Sequence, residues 1–367
     1  MFNEGIDSLL TSNIQPLSFI SEPIILAVQL DMKRFRRIRN VLQTPVLLYS
    51  LVNKIKTQKK FIKEKVDPQL EAAKGAGDGS MDDKDFKKIR EYYGLAVPAI
   101  LGEAFCTLRG KGMTKKERLA ATCQGVITGL GDDFFDKQGI SNESLKELID
   151  QPQRLGGATA YEKLSLHFLR AALANVPDPR SMQDQLTRVY HVQVLSKRQA
   201  GPPISYGEIK DTTICKGAES LLFYRTVFSN TMKKGEEKML YCLGGLMQLS
   251  NDIFDVYEDT QNDIQTLVTT ATNISEVRQL FLALMYLGYE AAYKSGYPQR
   301  NVKKFINIIS IAIFSRCLVC LDQLETNEKR SGNVFTPHAY SRKELICDMD
   351  TARNKWRSVK YHIKYTQ

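Results

Sequence analysis

The chain has 367 residues, of which 43% are hydrophobic and 25% charged, with a formal net charge of +10. Those proportions are ordinary for a soluble globular protein and suffice for one large core or two modest ones. No apolar run reaches the roughly 18 residues that span a bilayer, and the start MFNEGIDSLLTSN is acidic before it is apolar, unlike a signal peptide.

Strand signals are poor: there is no sustained alternation and no Asn-Gly or Asp-Gly pair between apolar runs. Helical periodicity recurs instead. It predicts helices near 23–31, 43–65, 86–108, 114–131, 143–150, 159–174, 180–200, 206–229, 235–259, 275–295, 298–325 and 340–362. Much of the positive charge sits early, in KRFRRIRN (33–40), between the first two, and KIKTQKKFIKEK (54–65), within the second. Such patches can bind nucleic acid or anionic lipid. Val46, Leu47, Leu48, Leu51, Val52 and Ile55 lie among the charges, as in an ordinary amphipathic helix with a solvated face.

GAGDGS at 75–80 reads as a flexible loop. Residues 1–85 are therefore expected to form an N-terminal helical extension with a Gly-rich linker, and 86–367 the main α-helical domain. Pro177-Asp-Pro179 and Gly201-Pro202-Pro203 are hard helix stops, and Asn273-Ile-Ser275 offers a helix start. The seven cysteines have no framework spacing and suit free thiols in a reducing cytoplasm. Cys317 and Cys320, inside SRCLVCLDQL, read as core rather than as a metal or redox pair.

Two acidic segments break the pattern. GDDFFDK, at 131–137, follows the apolar run Ala120 to Leu130. On a helix Asp132 and Asp136 share a face, and Asp133 lies about 100° from Asp132. Carboxylates at the C-terminal end of a core helix repel one another, are costly to desolvate and oppose the helix dipole. Bound cations would remove that cost. The second segment is GLMQLSNDIFDVYEDTQND. Asn251, Asp255 and Asp259 step by four and span an arc of about 80° over some 12 Å of helix, with Gln248 one turn earlier. Hard oxygen donors without histidine or paired cysteine point to magnesium, which completes its octahedron with waters and substrate phosphates.

With these motifs the chain resembles the class I terpenoid synthase superfamily, which includes terpene cyclases, trans-prenyl diphosphate synthases and squalene/phytoene-type synthases. DDFFD is similar to its first aspartate-rich motif and NDIFDVYED to its second, in the cyclase-like form. The resemblance implies an all-α bundle around a central apolar active-site cavity. It implies that Asp132, Asp133 and Asp136 hold Mg2+, that Asn251, Asp255 and Asp259 hold more, and that three ions bind in all, with Mn2+ able to substitute. GGLMQLSNDIFD also resembles the Gln-x-x-Asp-Asp helix of prenyl diphosphate synthases, which adds Gln248 and Asp252. In this superfamily a helix breaks beside the diphosphate. Lys216-Gly217-Ala218 stands where prenyl diphosphate synthases carry Lys-Thr-Gly, so Lys216 is expected on the diphosphate and Gly217 at the break. Lys210 and Arg225 are further basic candidates.

The motifs cover roughly 90–325. The cyclase arginine sensor is replaced by Asp211-Thr212-Thr213, and the arginine pair of chain-elongating enzymes is missing after DDFFD. The implied activity is a magnesium-dependent terpene synthase, a carbon–oxygen lyase that ionises a linear farnesyl, geranylgeranyl or longer diphosphate and guides the cation to a hydrocarbon or alcohol. Asp132, Asp136 and Lys216 would carry the ionisation. A cytoplasmic enzyme with no nucleic-acid partner and no transmembrane segment is expected, and a homodimer is compatible with it. Two alternatives stand beside this reading: a prenyl diphosphate synthase or head-to-head prenyltransferase, and a non-catalytic helical binding protein.

Overall fold

Helix starts follow local capping chemistry. Thr159 and Glu162 form a reciprocal capping box, Asp178 caps a helix with Pro179 at its first position, and Ser205 accepts from the Glu208 amide. Asn273 Oδ1 accepts from the Ser275 amide, so the helix start expected there is realised. The computed structural model describes residues 22–136 and 142–366. Every regular element among them is helical: α1 (Glu22–Lys65), α2 (Asp67–Ala76), α3 (Asp83–Lys87), α4 (Gly94–Ala96), α5 (Glu103–Arg109), α6 (Lys115–Asp136), α7 (Asn142–Asp150), α8 (Ala160–Leu173), α9 (Pro179–Ser196), α10 (Tyr206–Arg225), α11 (Glu236–Phe254), α12 (Val256–Gln261), α13 (Ile274–Lys294), α14 (Gln299–Ile309), α15 (Ser315–Arg330), α16 (Arg342–Leu345) and α17 (Ala352–Tyr365).

Several boundaries differ from those expected. The helices expected at 23–31 and 43–65 are one rod, α1, which runs through Pro45. The basic stretch between them lacks apolar periodicity, and that made it read as a gap. The helix expected at 340–362 is two pieces. Asp348 Oδ1 accepts from the Asp350 amide and Thr351 caps α17, so local side-chain bonds outcompete the helix. The π-helical turns Lys88–Tyr93 and Val97–Gly102 join α3 to α5, and Ser310–Phe314 joins α14 to α15. The resulting rod Gln299–Arg330 is long and apolar enough to cross a membrane, but 72% of its apolar window is buried in the bundle. Its apolarity therefore serves the core.

The core is built on α10, α11 and α13, wrapped by the other helices. Phe168, Phe223, Phe281, Phe305 and Phe314 are fully buried, each contributing about 1.5–3 kcal/mol relative to exposure. Two helix pairs approach backbone to backbone. A Cβ on Gly125 would lie 2.4 Å from the Tyr93 carbonyl oxygen, pinning α6 to the first π-helical turn. A Cβ on Gly217 would lie 2.0 Å from the Gly244 carbonyl oxygen, where α10 crosses α11.

α1 is tied to this core by polar contacts. Gln58 Nε2 donates to the Gly94 carbonyl at 3.0 Å and to Thr122 Oγ1 at 2.9 Å. Glu103, on α5, pairs with Lys54 and with Arg118. The face of α1 that packs inward holds Asn40, Thr44, Leu51, Gln58 and Ile62, all buried, whereas Val46, Leu48 and Val52 are exposed. The ordinary amphipathic helix expected here is thus partly reversed, polar inside and apolar outside.

Candidate functional site

The second acidic segment lies at the C-terminal end of α11, where the rod bends. Asp255 leaves helical geometry (φ −95°, ψ 7°), and α12 resumes at Val256. Hydrogen bonds nevertheless span the bend: the Asp255 amide donates to the Asn251 carbonyl and the Asp259 amide to the Asp255 carbonyl, each at 2.9 Å. The expected four-residue step therefore survives in a kinked rod. Asn251, Asp255 and Asp259 are all half-buried.

Beneath them Asp252 is buried on the α10 side. Its carboxylate accepts from Gln248 Nε2 at 3.0 Å and from Thr213 Oγ1 at 3.4 Å. Burial raises its pKa to about 6, against the opposing effects of Gln248, Lys216 and Thr213. Asp259 is pushed further, to about 8, first by burial and then by the carboxylates of Asp252 and Asp255, while the Lys216 ammonium opposes the rise. The Lys216 ammonium thus does not offset the cost of ionising these carboxylates where they stand. Thr213, one turn before Lys216, was not legible as a site residue, since a threonine within a helix is ordinarily structural.

Lys216 and Gly217 face this cluster, but not through a broken helix. α10 is continuous from Tyr206 to Arg225, so the expected break at Gly217 is corrected. The small residue is needed instead for contact with α11, whose Gly244 carbonyl and Gln248 Cβ leave no room for a side chain. The break lies on the partner rod, at Asp255. Arg225, expected near the diphosphate, is 5% exposed. Its Nε pairs with buried Glu236, and its other nitrogens donate to the carbonyls of Phe228 and Asn230. It thereby clamps the end of α10 to the start of α11. Lys210 is half-buried on α10, one turn before Thr213. Two further cations adjoin the bend: the Arg316 guanidinium is 5.8 Å from the Phe254 ring centroid, and that of Arg342 is 5.8 Å from the Tyr257 centroid.

The first acidic segment forms the last turn of α6; the side chains of Asp132, Asp133 and Asp136 lie outside the described residues. The backbone shows which end of the bundle that turn approaches. α9 runs antiparallel to α10, with Gln185 bonded to the Glu219 carbonyl and Arg198 paired with Glu208. α7 runs antiparallel to α9, with Gln183 bonded to the Ile149 carbonyl and Glu143 acting on Tyr190. The start of α7 is therefore level with Lys216. Asp136 precedes α7 by six residues, a reach of at most about 20 Å. α11 is antiparallel to α10 as well, since Thr213 meets Asp252 and Gly217 meets Gly244. The α11 segment therefore lies toward the start of α10, and the start of α7, six residues after the α6 segment, is level with the middle of α10.

The donor chemistry suits magnesium: an amide oxygen and carboxylates, with Asp259 held against ionisation until positive charge arrives. Among the described residues no three Asp, Glu, His or Cys side chains already converge on one point. Coordination here would need waters and substrate oxygens. Two open cavities, one lined by Val46, Tyr49, Lys54 and Glu103 and the other by Asp150, Arg154 and Gln183, lie away from this cluster. No protein-family model, curated protein or solved structure matches the chain.

Proposed function

We propose that the protein is a magnesium-dependent enzyme of the class I terpenoid synthase type, which ionises a linear prenyl diphosphate and releases a terpene hydrocarbon or alcohol. The observation that carries this reading is the group of carboxylates at the bend of α11, buried at Asp252 and half-buried at Asp255 and Asp259, beside Lys216 and the Gly217–Gly244 crossing. A group of carboxylates whose cost of ionisation the protein's own cation does not offset is what a site for cations and a polyanionic ligand requires.

Asn251, Asp255 and Asp259 would hold one magnesium, and Asp132 and Asp136, with Asp133 assisting, would hold others. Magnesium, when bound, supplies the charge that stabilises a departing diphosphate. Lys216 would contribute a point charge on the same group. Arg316 and Arg342, beside the bend, stand in reach of the role left open by the missing arginine sensor. Gln248 and Thr213 hold the Asp252 carboxylate so that it supports the ligand residues from behind. The apolar bundle would take the isoprenoid chain and keep water from the allylic cation.

Incubation with farnesyl, geranylgeranyl or a longer diphosphate, each alone with magnesium, followed by mass spectrometry of extracted products, tests the proposal. A cyclised or hydrolysed terpene from one substrate supports it. The Gln248–Asp252 hydrogen bond favours a second reading, a prenyltransferase, since the pair belongs to a Gln-x-x-Asp-Asp-like helix. In that case product forms only when a second prenyl substrate is added. Absence of magnesium-dependent diphosphate release with every substrate and pair refutes both.

A further inference from the structure

We infer that the outer face of α1 is a docking surface for an anionic lipid bilayer. On α1, Leu42, Val46 and Tyr49 follow one another at helical spacing and are 71%, 70% and 71% exposed. The opposite face of the same stretch buries Asn40 and Thr44. A helix whose outer face met only water would have the reverse arrangement, so the outer face calls for an apolar partner.

Charge selects among occupants. Further along α1, Lys56, Lys59, Lys60 and Lys63 are exposed, and residues 32–63 contain no acidic residue. A second copy would bring an equally basic face against this one, and like charges would repel. A nucleic acid matches the charge but offers no apolar surface for Leu42 and Val46. A bilayer with anionic headgroups matches both. The inference stands independently of any reaction at the acidic cluster.

The full-length protein is mixed with vesicles of phosphatidylcholine alone or with phosphatidylserine, and flotation is measured without substrate. Binding is expected only to the anionic vesicles and to weaken as salt rises. Leu42→Ser/Val46→Ser/Tyr49→Ser should weaken binding by roughly tenfold or more, and Lys56→Glu/Lys60→Glu by about fivefold or more per lysine. All five positions are exposed, and unchanged circular dichroism verifies folding. Three results would overturn the inference: no flotation with anionic vesicles at low salt, unaltered flotation by the folded triple-serine variant, or a dimer in sedimentation velocity that the triple-serine change dissociates.

Discussion

Gly217 and Gly244 touch through their backbones: a Cβ on either would fall 2.0 or 2.4 Å from the other's carbonyl oxygen. That contact brings Lys216 and Thr213 of α10 against Asp252 and Asp259 of α11 and α12. Gly217→Ala must separate the two helices and should cost about 1–3 kcal/mol or more, with Gly244→Ala similar. Gly131, with open space around its Cα, is the control: Gly131→Ala should be neutral or stabilise by up to about 1 kcal/mol. Urea midpoints of the three variants test this, and a Gly217→Ala protein as stable as wild type would rule out the close crossing.

The buried Arg225–Glu236 pair is a second junction. Tyr297 and the Lys233 amide also donate to Glu236. Arg225→Met leaves a carboxylate buried without its cation and should destabilise by about 3–5 kcal/mol. Arg225→Met/Glu236→Leu should recover much of that loss, as denaturant titration of both variants would show. Recovery would place Arg225 in folding rather than in substrate recognition.

Ligand binding at the acidic cluster should appear as stability. Magnesium with inorganic pyrophosphate, at a hundredfold excess over Kd, should stabilise the wild type by about 2.7 kcal/mol, and EDTA should remove the effect. In Asn251→Ala and Asp255→Ala the thermal shift should vanish, while helix content by circular dichroism stays unchanged. Asp132→Ala should likewise abolish turnover without loss of helix. Full activity in either Asp132→Ala or Asn251→Ala would remove the basis of the metal assignment.

His362 predicts an acid sensitivity away from that cluster. It is 1% exposed, with Nδ1 3.1 Å from Ser310 Oγ, and burial lowers its pKa to about 4 from the usual 6.5. The folded state therefore disfavours the proton that the unfolded chain accepts. This contribution to stability is complete above pH 6.5 and is lost as pH falls toward 4, by up to about 3 kcal/mol. The melting temperature of His362→Gln should vary less across that window than that of the wild type. Identical pH profiles would show that His362 does not carry the effect.

Much of the helical plan was legible because it depends on neighbouring residues. Thr159 with Glu162, Asp178 before Pro179, and Asn273 before Ser275 each bind amides two or three positions along, so spacing alone locates those helix starts. Errors arose where distant contacts decide the outcome. Asp255 sits in an unbroken helical pattern yet marks a bend. Gly217 looks like a break but lies within an intact helix, because the Gly244 backbone needs its space. Arg225 is a basic residue on a motif helix, and nothing nearby in sequence reveals that Glu236 and two carbonyls occupy its guanidinium.

By itself the sequence determined the all-helical class and the two oxygen-rich segments, since periodicity, capping and four-residue spacing are properties of single helices. Tertiary structure decided how those segments are used. Antiparallel packing sets Asp252 of α11 against Thr213 of α10, burial raises the pKa of Asp252 and of Asp259, and the docking of α1 turns Leu42, Val46 and Tyr49 outward. Desolvation and the direction a side chain faces depend on neighbours far away along the chain, so no local pattern could encode them.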